Sequence, residues 1–315
     1  MSVFISQNYV FSEFKTSESW VILSSIEKQI KDKIERIGKP LKDWDISINY
    51  GIKTGYNEAF IIDGKKKDEL IAEDPKSAEI IRPILRGRDI KRYSYDFADL
   101  YLLYIPWHFP LHKDSEIKGA SAEAEKAFEN QYPAVYKHLL QYKNELSNRN
   151  KAETGIRYEW YALQRWGANY SDDFSKQKIT YIEIMTDNPD VGYEFPCFSF
   201  DKKNCVALNT AYIITGNVDE LKHILGILNS RLGRLLVKNY VVQLQQRQFR
   251  MLNQYVINFP IPKIKNSSKI SILVDEILSA KEHLKDTKKL EQEIDSEVYN
   301  IFEFNVEEIN FINNI

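Results

Sequence analysis

The chain has 315 residues, of which 43% are hydrophobic and 28% charged, and its formal net charge is −2. That apolar content supports a folded core and excludes a largely disordered chain, whereas the near-neutral charge on its own argues weakly against a nucleic-acid-binding protein. The two cysteines, Cys197 and Cys205, are too few for a disulfide framework or a cysteine zinc site, and they fit a cytoplasmic protein. No apolar run approaches the roughly 18 residues that a membrane span requires, so we expect no membrane association.

The first half of the chain alternates predicted helices and strands. Isoleucines spaced three or four residues apart predict an amphipathic helix over 22–37, which follows an N-terminal arm and ends at Gly38. Segments rich in β-branched and aromatic residues predict strands over 45–50, 59–62 and 100–105. Further helices are predicted over 66–72, 77–81, 120–126 and 133–147, before an irregular aromatic segment at 155–170.

The second half adds strands over 178–184, 197–200 and 206–214, and a helix over about 219–235. Because strands and helices mix without a regular βαβ rhythm, we predict an α+β fold with a mixed sheet. Two amphipathic segments, 268–285 and 290–302, predict a C-terminal helical hairpin. The predicted units are an N-terminal arm and helix (1–38), a main domain (39–262) and a helical appendage (263–315).

The usual catalytic motifs are absent from the sequence. It contains no Gly-x-Gly for a nucleotide-binding loop and no Gly-x-Ser-x-Gly nucleophile elbow. One loose pattern, Asp190 with Asp201 and Lys203, matches a Mg²⁺-dependent nuclease, in which two carboxylates bind the metal and a lysine lies near the attacking water. Because that pattern is short and permissive, we expect no catalytic or metal-binding residues in this chain and keep the nuclease as an alternative.

The charges are distributed unevenly along the chain. Residues 221–274, the acid-free segment, contain nine basic residues and no Asp or Glu, whereas residues 275–315 have a net charge of −7. A second concentration, the basic cluster, consists of Arg82, Arg86, Arg88, Lys91 and Arg92. Segregated positive charge of this kind is typical of a surface that binds a polyanion, so the overall neutrality does not count against DNA.

Two segments carry side chains suited to base edges. Residues 242–250 read V-Q-L-Q-Q-R-Q-F-R, and glutamine and arginine are the side chains that pair with adenine and guanine in the major groove. The aromatic segment 155–170 contributes further arginine and asparagine residues. Its aromatic rings either stack on bases or pin the segment to the core, and the sequence does not separate these two roles.

Several phrases of the sequence together resemble one known family. They are P-L-K-D-W-D at 40–45, G-I-K-T-G-Y-N-E-A-F-I-I-D at 51–63, I-I-R-P-I-L-R-G-R-D-I-K-R-Y at 80–93, L-N-T at 208–210, L-G-I-L-N-S at 225–230 and F-P-I-P at 259–262. In this order they are similar to the TaqI-like specificity domain, the target-recognition domain C-terminal to the catalytic domain in many restriction–modification adenine methyltransferases and type IIG enzymes. The resemblance extends from about residue 19 to residue 309.

The resemblance implies a mixed α/β fold with a basic cleft that reads double-stranded DNA for a methyltransferase or a methyltransferase–nuclease. The family's amino-methyltransferases carry an Asn-Pro-Pro-Tyr/Phe motif and a glycine-rich S-adenosylmethionine site. Neither is present in this sequence, where Asn188-Pro189 is followed by Asp190. We therefore expect a recognition part only, either a separate subunit or part of a longer enzyme. S-adenosylmethionine, and Mg²⁺ in a nuclease, would then be held by a catalytic partner.

The candidate DNA-binding residues fall into three groups. Those expected to approach the duplex from the turn after the 45–50 strand are Lys53, Thr54 and Asn57. Those expected to hold phosphates are Arg86, Arg88, Lys91 and Arg92. Those expected to read a groove are Arg157, Arg165, Asn169, Gln245, Gln246, Arg247 and Arg250. This division follows the rule that phosphate contacts position a protein and base contacts specify the sequence.

The acidic C-terminal helices are expected to stay off DNA because of charge repulsion. Three roles remain open for them. They could dock on a methyltransferase subunit, pair with a second copy in a homodimer, or pack on the chain's own core. Their short apolar stripes favour the last of these.

Overall fold

The computed structural model describes residues 24–191, 194–263 and 268–315, and these form a mixed α/β structure. The helices are α1 (Ser25–Ile37), α2 (Asn57–Phe60), α3 (Gly64–Glu73), α4 (Ala122–Gln131), α5 (Pro133–Leu140), α6 (Lys143–Asn148), α7 (Val218–Asn229), α8 (Arg231–Tyr240), α9 (Asn253–Val256), α10 (Lys269–Glu282), α11 (Lys288–Ile301) and α12 (Val306–Asn313). Within these ranges no helix is long and apolar enough to cross a membrane.

The strands form two four-stranded sheets and two short pairs. They are β1 (Lys39–Pro40), β2 (Ile46–Tyr50), β3 (Ile61–Asp63), β4 (Ile81–Leu85), β5 (Leu100–Leu103), β6 (Lys178–Ile182), β7 (Ile184–Thr186), β8 (Phe198–Asp201), β9 (Val206–Ala207), β10 (Ala211–Gly216), β11 (Gln248–Arg250) and β12 (Pro260–Ile261). The first sheet has the order β2-β10-β6-β8 and is antiparallel. The second has the order β3-β5-β4-β9, and its β4–β9 pair is parallel. The predicted α+β fold with a mixed sheet is therefore confirmed.

One hydrophobic core lies between the first sheet and a layer of helices. It includes buried residues of α1, α7, α8 and the three C-terminal helices. Helices α7 and α10 pack so closely at Gly226 that a Cβ atom there would lie 2.3 Å from Cγ2 of Ile270. The side chain of Asn229 accepts from the Phe198 amide and donates to its carbonyl, which fixes the end of α7 to strand β8. The phrase L-G-I-L-N-S thus has a packing role.

The C-terminal helices pack on the chain's own core, which is the alternative that the sequence favoured. Ile270 and Ile277 of α10 and Ile294 of α11 are fully buried in the first core. A third C-terminal helix, α12, was not predicted, because its segment is short and directly follows the two predicted helices. Asn305 caps α12 and Glu308 completes the capping box, which is a local signal that the sequence did contain.

A second core lies around the other sheet and is rich in aromatic residues. Helices α2 to α6 and the aromatic segment 155–170 pack on it, with Phe60, Phe128 and Tyr161 completely buried. Tyr161 donates to the carbonyl of Phe109, and its ring stacks on Phe128 at 4.6 Å. For the most buried rings of this segment, the core-pinning alternative is therefore confirmed.

The two sheets meet where the chain leaves β9 and enters β10. The predicted single strand over 206–214 is wrong here, because residues 208–210 turn from one sheet to the other. A Cβ at Gly51 would lie 2.0 Å from the Leu208 carbonyl oxygen, and Gly87 donates its amide to the Thr210 hydroxyl at 2.9 Å. Three of the family-like phrases therefore converge at this junction, and they position the turn that follows β2.

Candidate nucleic-acid interface

The turn after β2 places two basic side chains opposite each other. Lys53 and Arg165 form an antiparallel bridge, in which each amide donates to the other residue's carbonyl, at 3.0 and 2.9 Å. Directly opposed residues in such a pair project from the same face, with Cα atoms about 5.5 Å apart. Neither side chain has an acidic partner or a side-chain hydrogen bond among the described residues. We call Lys53 and Arg165 the opposed pair.

Arg149 holds this turn against the aromatic segment. Its guanidinium donates to the carbonyl oxygens of Thr54 at 2.7 Å, Trp160 at 3.1 Å and Ala162. Burial lowers the pKa of Arg149 to about 10, so it remains a cation at neutral pH. Gly55 has a φ of +83°, and a Cβ there would lie 2.8 Å from the Arg149 Cδ. Arg149 was not predicted as a site residue, because a single arginine at the end of a helix has no local sequence signal.

The other two turn candidates have different environments. Thr54 is buried, and its hydroxyl donates to Oδ1 of Asn57 at 2.6 Å. The proposed direct approach of Thr54 to DNA therefore conflicts with its position, because its side chain already serves the turn. Asn57 is exposed at the start of α2. The structure thus leaves Lys53 and Asn57 as the accessible members of this group.

The aromatic segment presents Arg157, Arg165 and Asn169 to solvent. Arg157 lies over the ring of Trp107 at 5.7 Å and 3.3 Å from Glu153, so its charge is partly satisfied. Asn169 is exposed and lies next to Tyr170, the ring that Gly167 approaches. The exposed polar side chains of this segment therefore lie at its solvent-facing edge, whereas its buried aromatic rings pack in the second core.

A two-stranded ribbon, β7 with β11, continues the surface beside Tyr50. Arg250 on the ribbon lies 3.1 Å from Glu183, which also accepts a 3.3 Å hydrogen bond from the Tyr50 hydroxyl. Burial raises the pKa of Tyr50 and Glu183 adds to the rise, whereas Arg165 and Arg250 offset part of it. Glu183 thus contacts both Arg250 of the ribbon and Tyr50 at the end of β2, so the ribbon lies beside the turn that carries the opposed pair.

The far end of the ribbon carries the glutamine-rich segment. Gln245 is exposed, whereas the side chain of Gln246 lies outside the described part of the structure. Arg247 has a φ of +60° and donates through Nε to Asp187. This hydrogen bond lowers the pKa of Asp187, and Lys238, 3.1 Å from the same carboxylate, adds to the effect. Arg247 is thus held in a strained but defined position at the surface.

Two members of the basic cluster point inward. Arg86 forms a two-pronged pair with Asp89, with Nη2–Oδ1 and Nε–Oδ2 distances of 2.6 and 2.9 Å. Arg92 lies 2.7 Å from Glu291 on α11. Their expected role as phosphate contacts conflicts with this pairing, because both charges are already compensated within the fold. Arg88 is exposed and unpaired among the described residues, and Lys91 lies 3.8 Å from Asp96.

The nuclease alternative is not supported by the position of Asp201. This side chain is completely buried, 2.7 Å from Nζ of Lys178, and it accepts from Tyr95 and from the amides of Lys203 and Cys205. A carboxylate whose oxygens are all engaged cannot bind Mg²⁺ without breaking these contacts. No three His, Cys, Asp or Glu side chains within the described ranges are grouped so that they could hold a metal ion.

Comparison with known proteins agrees with the resemblance seen in the sequence. The model of the TaqI-like C-terminal specificity domain matches residues 82–261. The chain is 23% identical over 256 residues to the type II methyltransferase M.MjaIV of Methanocaldococcus jannaschii, which covers 79% of this chain and 76% of that protein.

The fold is similar to part of one solved enzyme, and a second solved enzyme gives a weaker match. The type IIL restriction-modification enzyme MmeI, solved in complex with DNA, matches with a TM-score of 0.57 and 17% identity over 88% of this chain and 36% of its own. The type IIG restriction endonuclease BpuSI matches with a TM-score of 0.46 and 12% identity over 91% and 33%. The chain thus spans about a third of the length of these enzymes. With more than half of its residues matched by the family model, the chain belongs to the family of TaqI-like C-terminal specificity domains.

Proposed function

We propose that this chain recognises a specific double-stranded DNA sequence and directs a restriction–modification adenine methyltransferase, or a methyltransferase–nuclease, to it. The observation that carries the proposal is the opposed pair, in which Lys53 and Arg165 are held side by side without an acidic partner in the described structure. Like charges placed directly opposite each other destabilise a fold. A DNA backbone phosphate between them would offset that cost, since phosphate binding by lysine and arginine dominates protein–DNA affinity.

The accessible candidates divide between the two kinds of DNA contact. Lys53, Arg165 and Arg88 are exposed or half-exposed cations without ion pairs in the described ranges, which suits phosphate contacts. The exposed amides of Asn169 and Gln245 suit base edges, because an amide offers a donor and an acceptor together.

The two ribbon arginines combine both requirements. Glu183 engages Nε and Nη2 of Arg250, at 3.2 and 3.1 Å, and so fixes the direction of the guanidinium. Because an arginine has five N–H donors, others remain for a base or a phosphate. Arg247, held by Asp187, is oriented in the same way. Preorganised arginines of this kind lose less freedom on binding.

The catalytic step is proposed to belong to a partner domain or subunit. The sequence lacks the Asn-Pro-Pro-Tyr motif and the glycine-rich site that S-adenosylmethionine requires in such enzymes. The family match and the partial coverage of MmeI are consistent with a recognition part that works beside a methyltransferase. MmeI was solved with DNA, and the shared fold supports extending DNA binding to this chain.

A binding titration tests the DNA proposal. The chain is titrated against a mixed-sequence duplex at several salt concentrations, and the bound duplexes are sequenced. We expect affinity to fall steeply with salt and one sequence motif to be enriched. The double variant Lys53→Gln/Arg165→Gln should reduce the slope of log affinity against log salt by about two, without changing the motif.

Lys65→Gln is the matched control, because Lys65 is an exposed lysine on α3 and is not among the candidate DNA-binding residues. It should leave the affinity and the salt slope unchanged. Absent or salt-independent binding by the wild-type chain would contradict the proposal. So would a double variant that binds like the control.

A further inference from the structure

An open cavity of about 820 Å³ lies between the end of β7, the start of α8 and helix α11. Six basic and four acidic side chains line it. We call it the arginine cavity and define it by Arg92, Arg231, Arg234, Lys281 and Lys288. Neither member of the opposed pair lines it, so it is a second basic site on the molecule.

Two acidic residues of the cavity are paired with arginines of its wall. Glu291 lies 2.7 Å from the guanidinium of Arg92. Asp295 lies 3.4 Å from Nε of Arg231 and also accepts from the Arg231 amide at 2.8 Å. Burial raises the pKa of Asp295, and the hydrogen bond and nearby arginines offset part of the rise. These two carboxylates therefore have little capacity left to balance another cation.

The remaining acidic residues are also engaged. Asp187 is shared by Arg247 and Lys238, which reach it from outside the cavity wall. Glu194 is largely exposed and lies 3.5 Å from Arg92. Within the described ranges, the ion pairs of the four acidic side chains are thus all with cations other than Arg234, Lys281 and Lys288.

Arg234 is left without a partner. Its side chain forms no hydrogen bond or ion pair within the described structure, and its Nε atom is buried without an acceptor. Burial lowers the pKa of Arg234, the Asp187 carboxylate offsets part of this shift, and the neighbouring Arg231 and Arg92 lower the pKa further. A buried N–H without an acceptor and a cation among other cations both cost free energy. Lys281 and Lys288 on the same wall likewise lack acidic partners among the described residues.

We propose that the arginine cavity binds a phosphate group, with Arg234 as its main ligand and Lys281 and Lys288 as further cations. The planar guanidinium matches the geometry of phosphate oxygens, and a group with more than one negative charge suits three uncompensated cations. The site goes beyond the proposed function, because nothing in it depends on Lys53 or Arg165. The phosphate could come from a DNA backbone or from a free phosphate compound, since about 300–1,000 Å³ is the usual size of a small-molecule pocket.

Calorimetric titration with inorganic pyrophosphate at low salt, without DNA, tests the site itself. We expect saturable binding with one site per chain. Arg234→Gln and Lys288→Gln should each weaken binding about tenfold, since each removes a charge-assisted contact. Lys289→Gln is the matched control, because Lys289 is an exposed neighbour of Lys288 that does not line the cavity, and it should bind like wild type.

Lack of saturable binding to wild type would overturn the site, as would equal binding by the wild type and both cavity variants. Circular dichroism of each variant checks folding, and Lys288→Gln keeps the test valid if Arg234→Gln does not fold. Repeating the titration with a saturating duplex then identifies the source of the phosphate. Competition indicates a DNA phosphate, and simultaneous binding indicates a free phosphate compound. The first titration contains no DNA. A lack of pyrophosphate binding would therefore contradict the phosphate site without contradicting the proposed recognition of DNA.

Discussion

The basic cluster and the opposed pair differ in how the fold treats positive charge. The cluster places five cations within residues 82–92, yet Arg86 pairs with Asp89, and Arg82 lies over the Tyr104 ring at 4.2 Å. The opposed pair has only two cations, from distant parts of the chain, and no acid in the described structure compensates them. The density of charge along a sequence is therefore a poor guide to uncompensated charge on the surface.

The comparison predicts that inward-facing cations stabilise the fold, whereas outward-facing cations contribute to binding. Replacing the most buried cation should therefore cause the largest loss of stability. Lys178 is completely buried and lies 2.7 Å from Asp201. Replacing it by methionine leaves a buried carboxylate without its counter-ion. We expect Lys178→Met to lower the free energy of unfolding by about 3–5 kcal/mol, measured by urea denaturation.

Lys203→Met provides the matched control for this prediction. Lys203 is also next to Asp201, but it contributes its backbone amide, at 2.8 Å, and its side chain is exposed. The substitution should change stability by less than about 0.5 kcal/mol. If the two variants were equally stable, the buried ion pair of Lys178 and Asp201 would not stabilise the fold.

Substitutions of Arg86 and Arg88, two arginines of one turn, should have different and smaller effects on stability and on duplex binding. Arg86 and Arg88 are close in sequence, but only Arg86 is bound to an acid. We expect Arg86→Gln to lower the free energy of unfolding by about 2 kcal/mol and to leave duplex affinity unchanged, because it breaks charged hydrogen bonds inside the fold. Arg88→Gln should do the opposite, with unchanged stability and weaker duplex binding. Denaturation and binding titrations of both variants test the comparison, and the reverse result would refute it.

The sequence predicts local elements well, because their signals are local. The isoleucine spacing predicts α1, and the structure adds that Ser24 and Glu27 form its capping box. Pro133 was expected in a helix and stands in the first turn of α5, where its missing N–H costs nothing. The predicted strand over 59–62 is only partly right, since Asn57–Phe60 forms a short helix before β3.

The candidate site was less predictable, because each charge finds its partner through the tertiary fold. Arg92 pairs with Glu291 and Arg165 lies opposite Lys53, and both contacts join distant segments. Because Thr54 lies in a predicted turn, it was expected at the surface. In the structure, Arg149 holds that turn against the aromatic segment, and Thr54 is buried. Sequence patterns identify which residue types are present, whereas burial and pairing decide which of them remain available.

The smallest predicted effect tests the opposed pair most directly, because stability and binding should change in opposite directions. Lys53→Gln and Arg165→Gln each remove the same repulsion, so each should raise the free energy of unfolding by about 0.2–1 kcal/mol. The double variant should gain no more than either single one, since the repulsion can be removed only once. Urea denaturation at low salt measures this cycle.

Salt provides the control for that cycle. At about 1 M salt the screening length falls to about 3 Å, so the stability gain should disappear. A gain that persists in high salt would indicate a packing effect instead, and a loss of stability in either variant would mean that the two cations support the fold. The same variants bind duplex DNA more weakly if the pair serves recognition. If removing the two charges makes the protein more stable but weakens its binding to DNA, then these charges contribute to ligand binding and not to the stability of the fold.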